Sequence, residues 1–264
     1  MEAKEYTWNE KELEEFRMDV LNEKGLKCRT DDMFLLSFLR ARKYNKERAF
    51  KLLKNYYAIR KKYIHVFKDL RPSALETFLQ MGMMCTKRLE TGQVLGLGRV
   101  NHWDATKVRP IDVVRCIILL LDMELNDYPM QVNGVYALVD AKTLSWRHVI
   151  QFSPRVIYFV IACFYQCAPV IHKGIHVVNV NKYIHAIFAM AYPFLPYKLK
   201  QRLHFYGSNM KNLHKIIDPK YLPAEFGGDL PPFDVSETNR KLRDMEEFFV
   251  ENEKYWTEEE ISED

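Results

Sequence analysis

Four short β-like runs, separated by long helical stretches, constrain the fold of this chain more than any other feature of its sequence. The runs are MMCTKRL, VLGLGRV, GVYALVD and GIHVVNV. Apolar residues recur with helical spacing in the intervals 110–127, 154–168 and 183–203. Strands that alternate with helices predict an α/β layer with a largely parallel sheet. GVYALVD and GIHVVNV are apolar enough to be its central strands.

The first 80 residues carry only the helical pattern. One helix is predicted over Trp8–Asn22, a second after the N-cap residues Thr30–Asp32, a third from Lys46 and a short fourth from Pro72. A polar segment after residue 232 leads into an acidic helix. We therefore predict a helical N-terminal domain over 1–80, an α/β domain over 81–235, and an acidic C-terminal helix and tail over 236–264.

The net charge of +4 is unevenly distributed along the chain. Residues 1–24 carry −4 and residues 236–264 carry −7, whereas residues 25–235 contain 31 Lys and Arg against 16 Asp and Glu. A basic body between acidic ends favours an anionic partner, either nucleic acid or a membrane surface. The alternative is a basic enzyme whose lysines are simply solvated.

The N-terminal sequence and the cysteines predict a cytoplasmic protein. MEAKEYTWNEKELEEF is acidic and has no apolar run of the signal-peptide type. No stretch approaches the roughly 18 to 20 uncharged residues of a membrane-spanning helix. The five cysteines are an odd number without a CxxC pair, so we expect them to be reduced.

Motifs for catalysis, cofactors and metals are not found in the sequence. The glycines at 92, 96 and 98 are not followed by a helix, which excludes dinucleotide-binding and P-loop geometry. His172 and His176 are four residues apart but flank Gly174 at a strand start, so ordinary structural histidines are expected rather than zinc ligands. Cys163 and Cys167 are interpreted as small buried apolar residues. We expect no catalytic residue, metal or cofactor, and the missing zinc-finger, RNP and helix-turn-helix patterns disfavour nucleic acid.

The segment YIHAIFAMAYPFL, residues 183–195, is apolar on all sides apart from His185. At about 1.5 Å per residue its 13 residues reach only about 20 Å, too short to span a bilayer. Pro193 and Pro196 interrupt the helix, and three cations follow at once, Lys198, Lys200 and Arg202. This order suits an element that touches a membrane, and it equally suits a buried core helix with a solvated basic end.

Two further helices offer wide apolar faces. Helix 110–127 repeats Val114, Ile117, Ile118 and Leu121 at helical spacing, and helix 154–168 does so with Val160, Cys163, Phe164 and Cys167. These are more apolar faces than one sheet needs, which permits a lined cavity. The same side chains are also able to close a core.

Several segments, in order along residues 25–235, resemble the CRAL-TRIO lipid-transfer family. They are DDMFLLSFLRARKYNKERAFKLLKNYY, RVNHWDA, GVYALVD, GIHVVNV, YIHAIFAMAYPFLPYKLKQRL and LPAEFGGDLP. The resemblance points to the subgroup that includes alpha-tocopherol transfer protein, cellular retinaldehyde-binding protein and the clavesins. It implies an α/β fold in which an N-terminal helical bundle precedes a CRAL-TRIO domain with a mainly parallel mixed sheet, an apolar cavity and a mobile gate helix at 183–195.

The resemblance also implies two sets of site residues. The expected ligand-binding residues are Val114, Ile117, Ile118, Leu121, Val135, Val139, Phe152, Val160, Cys163, Phe164, Ile175, Phe188 and Leu195. The expected phosphoinositide-binding residues are Arg40, Lys173, Lys198 and Arg202. Ile171 departs from the family's basic pattern, and hydroxyl residues of the tocopherol-binding relative are replaced by Ile117 and Leu121.

The resulting hypothesis is a monomeric cytoplasmic carrier that associates reversibly with membranes. It binds a retinoid, carotenoid, tocopherol or other isoprenoid lipid and exchanges it at phosphoinositide-bearing membranes through the gate helix, without enzymatic chemistry. The first alternative is a lipid-sensing adaptor in membrane trafficking that does not transfer its ligand. The second is an enzyme on the same α/β scaffold.

Overall fold

The N-terminal part of the computed structural model, which describes residues 7–258, is a helical bundle. Its helices are α1 (Glu10–Asn22), α2 (Asp32–Ala41), α3 (Lys46–Lys62), α4 (Ile64–Phe67) and α5 (Glu76–Gln80). The side chains of Asn9, Asp31 and Asn45 accept hydrogen bonds from backbone amides of the first turns of α1, α2 and α3. These three N-caps satisfy amides that have no partner within the helix, which explains where each helix begins.

A five-stranded mixed sheet follows the bundle. Its strands are β2 (Met84–Arg88), β3 (Val94–Arg99), β4 (Val135–Asp140), β5 (His172–Val178) and β6 (Leu203–Phe205), in that spatial order. β2 pairs antiparallel with β3, and all other pairs are parallel. The predicted α/β fold is therefore confirmed. Two short strands, β1 (Leu26–Lys27) and β7 (Trp256–Thr257), form a separate antiparallel pair.

The remaining helices connect or cover these strands. They are α6 (Pro110–Glu124), α7 (Tyr128–Asn133), α8 (Trp146–Val149), α9 (Pro154–Ile161), α10 (Lys182–Ala191), α11 (Tyr197–Lys200), α12 (Lys211–His214), α13 (Ser236–Asp244) and α14 (Glu246–Asn252). A π-helical turn, Ala162–Cys167, extends α9.

The two faces of the sheet are covered by different parts of the chain. On what we call the outer face, Leu138 and Val178 pack against Leu213, Leu222 and Phe226 from the segment after β6. On the inner face, Val139 and Val177 pack against side chains of α6, α9 and α10. Both central strands are thus buried on both sides, as their apolar sequences predict.

Three predicted elements end or begin elsewhere than the sequence pattern indicated. β5 begins at His172, two residues before the predicted run, and the helix predicted over 110–127 ends at Glu124, before the separate helix α7. The helix predicted over 183–203 is wrong beyond residue 191: a 3₁₀ turn at Tyr192–Phe194, α11 and β6 replace it. Pro193 and Pro196 lack the amide hydrogen that a continuing helix would need, and β6 is too short to show alternation.

One ion pair joins the bundle to the α/β domain. The Arg60 guanidinium on α3 donates to Asp122 on α6 at 2.7 Å, and the Tyr56 hydroxyl donates to the same carboxylate at 3.0 Å. Both partners are largely buried. Burial, together with the neighbouring carboxylate, raises the pKa of the Tyr56 phenol, which therefore stays protonated and remains a donor. A buried pair of this kind fixes the relative position of the two helices.

A histidine cluster occupies the outer face where β5 meets β6. His176 is only 1% exposed, stacks on His204 of the paired strand with ring centroids 5.0 Å apart, and its Nδ1 lies 2.9 Å from the Tyr206 hydroxyl. Tyr136 of β4 lies beside the same ring. Burial, and secondarily the neighbouring His204, lowers the pKa of His176 to about 4.

We expect Asp122→Ala to lower the free energy of unfolding by about 3 to 5 kcal/mol, because the Arg60 charge would remain buried without its partner. Urea unfolding followed by circular dichroism measures this. The control is Asp244→Ala on α13, which breaks an exposed pair with Arg240 and should cost about 1 kcal/mol or less. Equal effects of the two substitutions would contradict the role assigned to Asp122.

His176 predicts a loss of stability on acidification. Below about pH 6.5 the unfolded chain protonates this histidine whereas the folded protein does not, so stability falls as the pH decreases from about 6.5 to about 4. The expected contribution is about 2 to 3 kcal/mol, measured as the difference between urea unfolding at pH 7 and pH 4.5. His176→Phe should remove this part of the pH dependence, whereas His65→Phe, at an exposed histidine, should retain it.

Candidate functional site

An apolar cavity of about 210 Å³ lies between the inner face of the sheet near β6 and the helices α9, α10 and α11. Its lining side chains are Phe152, Ile157, Val160, Ile161, Phe164, Tyr165, His172, Ile175, Ile187, Phe188, Ala191, Leu195, Leu199 and Leu203. The floor comes from β5 and β6, one wall from α9 and its π-helical turn, and the opposite wall from α10 to α11. Such a space suits a hydrophobic molecule.

Two lining side chains carry polar groups, the His172 imidazole and the Tyr165 phenol. The Nε2 of His172 lies 2.6 Å from the carbonyl oxygen of Phe164. Burial, and to a lesser degree Arg202, lowers the pKa of His172, so the ring is neutral at pH 7. The cavity wall therefore holds no charge.

Six of the residues that the sequence assigned to the ligand line this cavity: Phe152, Val160, Phe164, Ile175, Phe188 and Leu195. Ile118, Leu121 and Cys163 instead surround a separate void of about 20 Å³ between α3, α6 and the π-helical turn. Phe164 lines both spaces.

The other four assigned residues lie away from the cavity. Val114 is buried in the main core, with Val139 packed against that core and Ile117 half-buried on α6. Val135 packs with the N-terminal bundle. Apolar character alone cannot distinguish a core-facing position from a cavity-facing one, because both are apolar.

Eight lining residues were missed by the sequence reasoning. Some were within reach of a periodicity argument, since Ile157 and Ile161 precede Val160 and Phe164 by three residues, and Ile187 precedes Ala191 by four. Leu199 and Leu203 were hidden by the wrong helix boundary. His172 carried no apolar signal at all.

The surface beside the cavity is basic and apolar. Residues 141–217 contain ten Lys and Arg and not one Asp or Glu. None of the ten cations forms an ion pair with another residue of the range 7–258. The same segment carries more than half of the large hydrophobic side chains that are exposed in the described structure, with Tyr192, Phe194 and Tyr197 beside the end of α10. The absence of Asp and Glu from residues 141–217 is visible in the sequence, and this signal alone predicts which segment forms the basic surface.

Three of the four residues assigned to a phosphoinositide lie on this surface. Lys173 is exposed near the start of β5, Lys198 is exposed on α11, and Arg202 is half-buried at the start of β6. The backbone oxygen of Arg202 accepts from the amide of Ile175, which places the starts of the two strands side by side. Lys173 and Arg202 therefore lie near the same end of the sheet, and Lys198 precedes Arg202 by four residues.

Arg40 lies in a different setting. Its side chain is buried, its guanidinium is stacked over the Tyr128 ring at 4.0 Å, and it donates to the Gln131 side chain. These contacts join α2 to α7. Arg40 is thus enclosed between helices and is not presented at the basic surface.

The turn around α8 presents a second exposed apolar pair, Trp146 (54% exposed) and Ile150 (70% exposed). This turn is held rigidly: the His148 ring contacts the backbone oxygen of Trp103 at 3.0 Å. The Asn181 side chain donates to the backbone oxygens of Ala141 and Leu144, just before α8, and accepts from the first amides of α10. Asn181 therefore ties the turn before α8 to the N-terminal end of α10.

A larger cleft of about 570 Å³ lies between α3, α4 and the C-terminal segment. Its walls include charged side chains of Arg60, Lys61, Lys68, Asp122 and Glu253. Because apolar ligands favour walls without charge, we assign the functional site to the smaller cavity and not to this cleft.

Two features are absent from residues 7–258, a membrane-spanning helix and a metal-type cluster of side chains. No helix in this range is both long and apolar enough to cross a membrane. No three or more His, Cys, Asp or Glu side chains within it are grouped as a metal site would require.

Comparisons with known proteins agree with the arrangement of the sheet and helices. Residues 83–228 match the family model of the CRAL/TRIO domain. Clavesin-1 of Xenopus laevis is 34% identical over 218 residues, which cover 81% of this chain and 66% of that protein. Human Clavesin-2 is 33% identical over 230 residues, which cover 83% of this chain and 68% of that protein. The chain therefore spans about two thirds of the length of these relatives.

A solved structure gives the same fold. The crystal structure of Sfh5 superposes with a TM-score of 0.56 and covers 93% of this chain and 100% of that one. The two sequences are 12% identical, so the likeness concerns the fold alone.

Proposed function

The chain belongs to the CRAL/TRIO domain family, and we propose from this premise that it carries a hydrophobic small molecule between membranes. The proposed cargo is an isoprenoid lipid such as a retinoid, a carotenoid or a tocopherol. The observation that carries the proposal is the apolar cavity, whose wall α10–α11 continues directly into a surface of unpaired cations and exposed aromatic side chains.

The apolar lining of the cavity suits an isoprenoid lipid, but the cavity must enlarge to hold one. Its volume of about 210 Å³ is below the 300 to 1,000 Å³ typical of pockets for drug-sized molecules. Phe164 lines both this cavity and the small void beside Ile118 and Leu121. We propose that a long isoprenoid displaces the Phe164 side chain and joins the two spaces, which brings Ile118, Leu121 and Cys163 into contact with the ligand.

The surface supports docking to an anionic bilayer. Each Lys or Arg near an anionic leaflet contributes about 1 kcal/mol, and aromatic side chains partition into the interface. Tyr192, Phe194 and Tyr197 are exposed next to Lys198 and Lys200. The segment between α10 and α11 carries these aromatic side chains and is interrupted by Pro193 and Pro196, so we propose that this wall is the gate through which the ligand passes.

A phosphoinositide headgroup fits the cations at the start of β5 and β6. Lys173, Lys198 and Arg202 supply charge and hydrogen-bond donors for phosphate oxygens. We leave Arg40 out of the proposed headgroup site because its guanidinium is already enclosed by Tyr128 and Gln131.

A carrier is favoured over an enzyme by the walls of the cavity. Among its lining side chains, His172 is neutral with one nitrogen engaged by a backbone carbonyl, and the remaining polar group is a phenol. Neither is paired with a nucleophile among the lining residues. Binding and release are therefore the chemistry that we propose for this site.

The second candidate is an adaptor that senses a lipid without transferring it. The small volume of the cavity favours this alternative. A closely packed wall would open rarely, and a protein whose wall opens rarely would retain its bound lipid. An adaptor would bind vesicles and retain its lipid, whereas a carrier would release it.

We expect the protein to move retinol or a fluorescent tocopherol from phosphatidylcholine donor vesicles to acceptor vesicles, and to do so faster when the acceptors contain phosphatidylinositol bisphosphate. Lys198→Gln combined with Lys200→Gln should weaken vesicle binding by roughly 30-fold, since two cations contribute about 2 kcal/mol. Dequenching of the lipid measures transfer, and vesicle flotation measures binding.

The matched control neutralises two other cations of residues 141–217, the segment without acidic residues. These are Lys211 and Lys215, which lie on and just after α12, beside the outer face of the sheet. Lys211→Gln combined with Lys215→Gln should leave transfer close to that of the wild type. Vesicle binding without transfer of either lipid would favour the adaptor, and binding to neither vesicles nor lipids would contradict both candidates.

The exposed turn at α8 gives a separate prediction for docking. Trp146→Ala should lower the partition coefficient on anionic vesicles by roughly 30-fold, because burying about 100 Å² of ring surface in the interface contributes about 2 kcal/mol. Its thermal unfolding should change little, since the side chain is 54% exposed. Trp256→Ala, at a tryptophan of similar exposure (48%) outside the acid-free segment, should leave partitioning unchanged.

A further inference from the structure

The cavity contains one hydrogen-bonding group whose role is fixed by its surroundings, the imidazole of His172. Its Nε2 lies 2.6 Å from the carbonyl oxygen of Phe164. A carbonyl oxygen only accepts, so Nε2 must carry the hydrogen. A neutral imidazole has one N–H, and therefore Nδ1 presents a lone pair and acts as an acceptor.

The π-helical turn after α9 explains why this contact forms. Phe164 lies within Ala162–Cys167, where a carbonyl bonds to the amide five residues further along the chain. For Phe164 that residue is Pro169, which has no amide hydrogen. The His172 ring supplies a donor to this carbonyl, and the contact in turn fixes the ring's tautomer and orientation.

The acceptor nitrogen has no partner of its own within residues 7–258. Nδ1 makes no hydrogen bond there, and the half-buried ring lines the cavity together with Ile175, Leu199 and Leu203. An acceptor in an apolar wall costs free energy unless the ligand supplies a donor. A ligand whose only polar atom is an acceptor would place two lone pairs against each other.

We propose that Nδ1 of His172 accepts a hydrogen bond from a hydroxyl group of the bound lipid, so that the cavity selects isoprenoid alcohols over the corresponding ethers, esters and aldehydes. This rests on the proposed function, because it names the ligand class of the same cavity. Tyr165 does not carry the selection, since a phenol both donates and accepts and therefore suits either type of ligand.

The test is a competition between matched ligands. The full-length protein is incubated with equimolar farnesol and farnesyl methyl ether, and separately with geranylgeraniol and its methyl ether, and native mass spectrometry counts the bound species. We expect the alcohol to be enriched about tenfold, as one hydrogen bond to a buried acceptor implies. Equal binding, or a preference for the ether, overturns the proposal and leaves the carrier function standing. Binding of none of the four lipids contradicts both.

Variants assign the preference to His172. His172→Phe keeps a ring of similar size without an acceptor, so the alcohol preference should fall to about one while ether binding is retained. Tyr165→Phe, the matched control at the other polar side chain, should keep the tenfold preference. A preference that persists in His172→Phe overturns the proposal.

If His172→Phe binds neither the alcohol nor the ether, a second variant, His172→Gln, tests the same assignment. His172→Gln has both an amide N–H for the Phe164 carbonyl and an oxygen acceptor, and it should restore a preference for the alcohol. Ether binding by His172→Gln without that preference overturns the proposal as well.

Discussion

The central strands β4 and β5 must be covered on both faces, and the position of the cavity follows from how the chain meets this requirement. The outer face is closed by the segment after β6, whose Leu213, Leu222 and Phe226 are fully buried. Towards β6 the cover of the inner face passes from α6 and α9 to α10 and α11, which are short and separated by prolines. Short interrupted helices fill a sheet face less completely than long ones, and the apolar cavity lies beneath them.

Acidic residues are placed where they hold helices together. Asp122 pairs with Arg60 between the bundle and α6, and Glu76 pairs with Arg243 between α5 and α13. The segment 141–217 has cations but no acidic residue of its own. The charge asymmetry of the chain therefore has a structural meaning: one part of the molecule is braced by ion pairs, and the other leaves its cations available to an external anion.

The sequence predicted the fold well and the site in part, for different physical reasons. Apolar periodicity identified β2 to β5 and the helices around them because burial on one or both faces dictates that pattern. It missed β6, whose three residues are too few to show alternation. The family resemblance placed Val114 and Val135 at the ligand, and apolar composition could not correct this because core and cavity walls have the same composition. His172 was expected to be an ordinary structural histidine, and its contact with the Phe164 carbonyl was not predictable because only the folded chain brings the two near.

Asn181 joins the turn before α8 to the N-terminal end of α10. Its side chain holds the backbone before α8 and caps α10, so the turn that carries Trp146 and the N-terminal end of α10 are fixed to each other. The opposite end of α10 leads into the 3₁₀ turn Tyr192–Phe194, in which the side chains of Tyr192 and Phe194 are exposed. If the proposed function holds, the wall opens from this end while α8 stays on the bilayer. On this proposal the docking residues lie on both parts, with Trp146 on the fixed turn and Lys198 and Lys200 on the wall that opens.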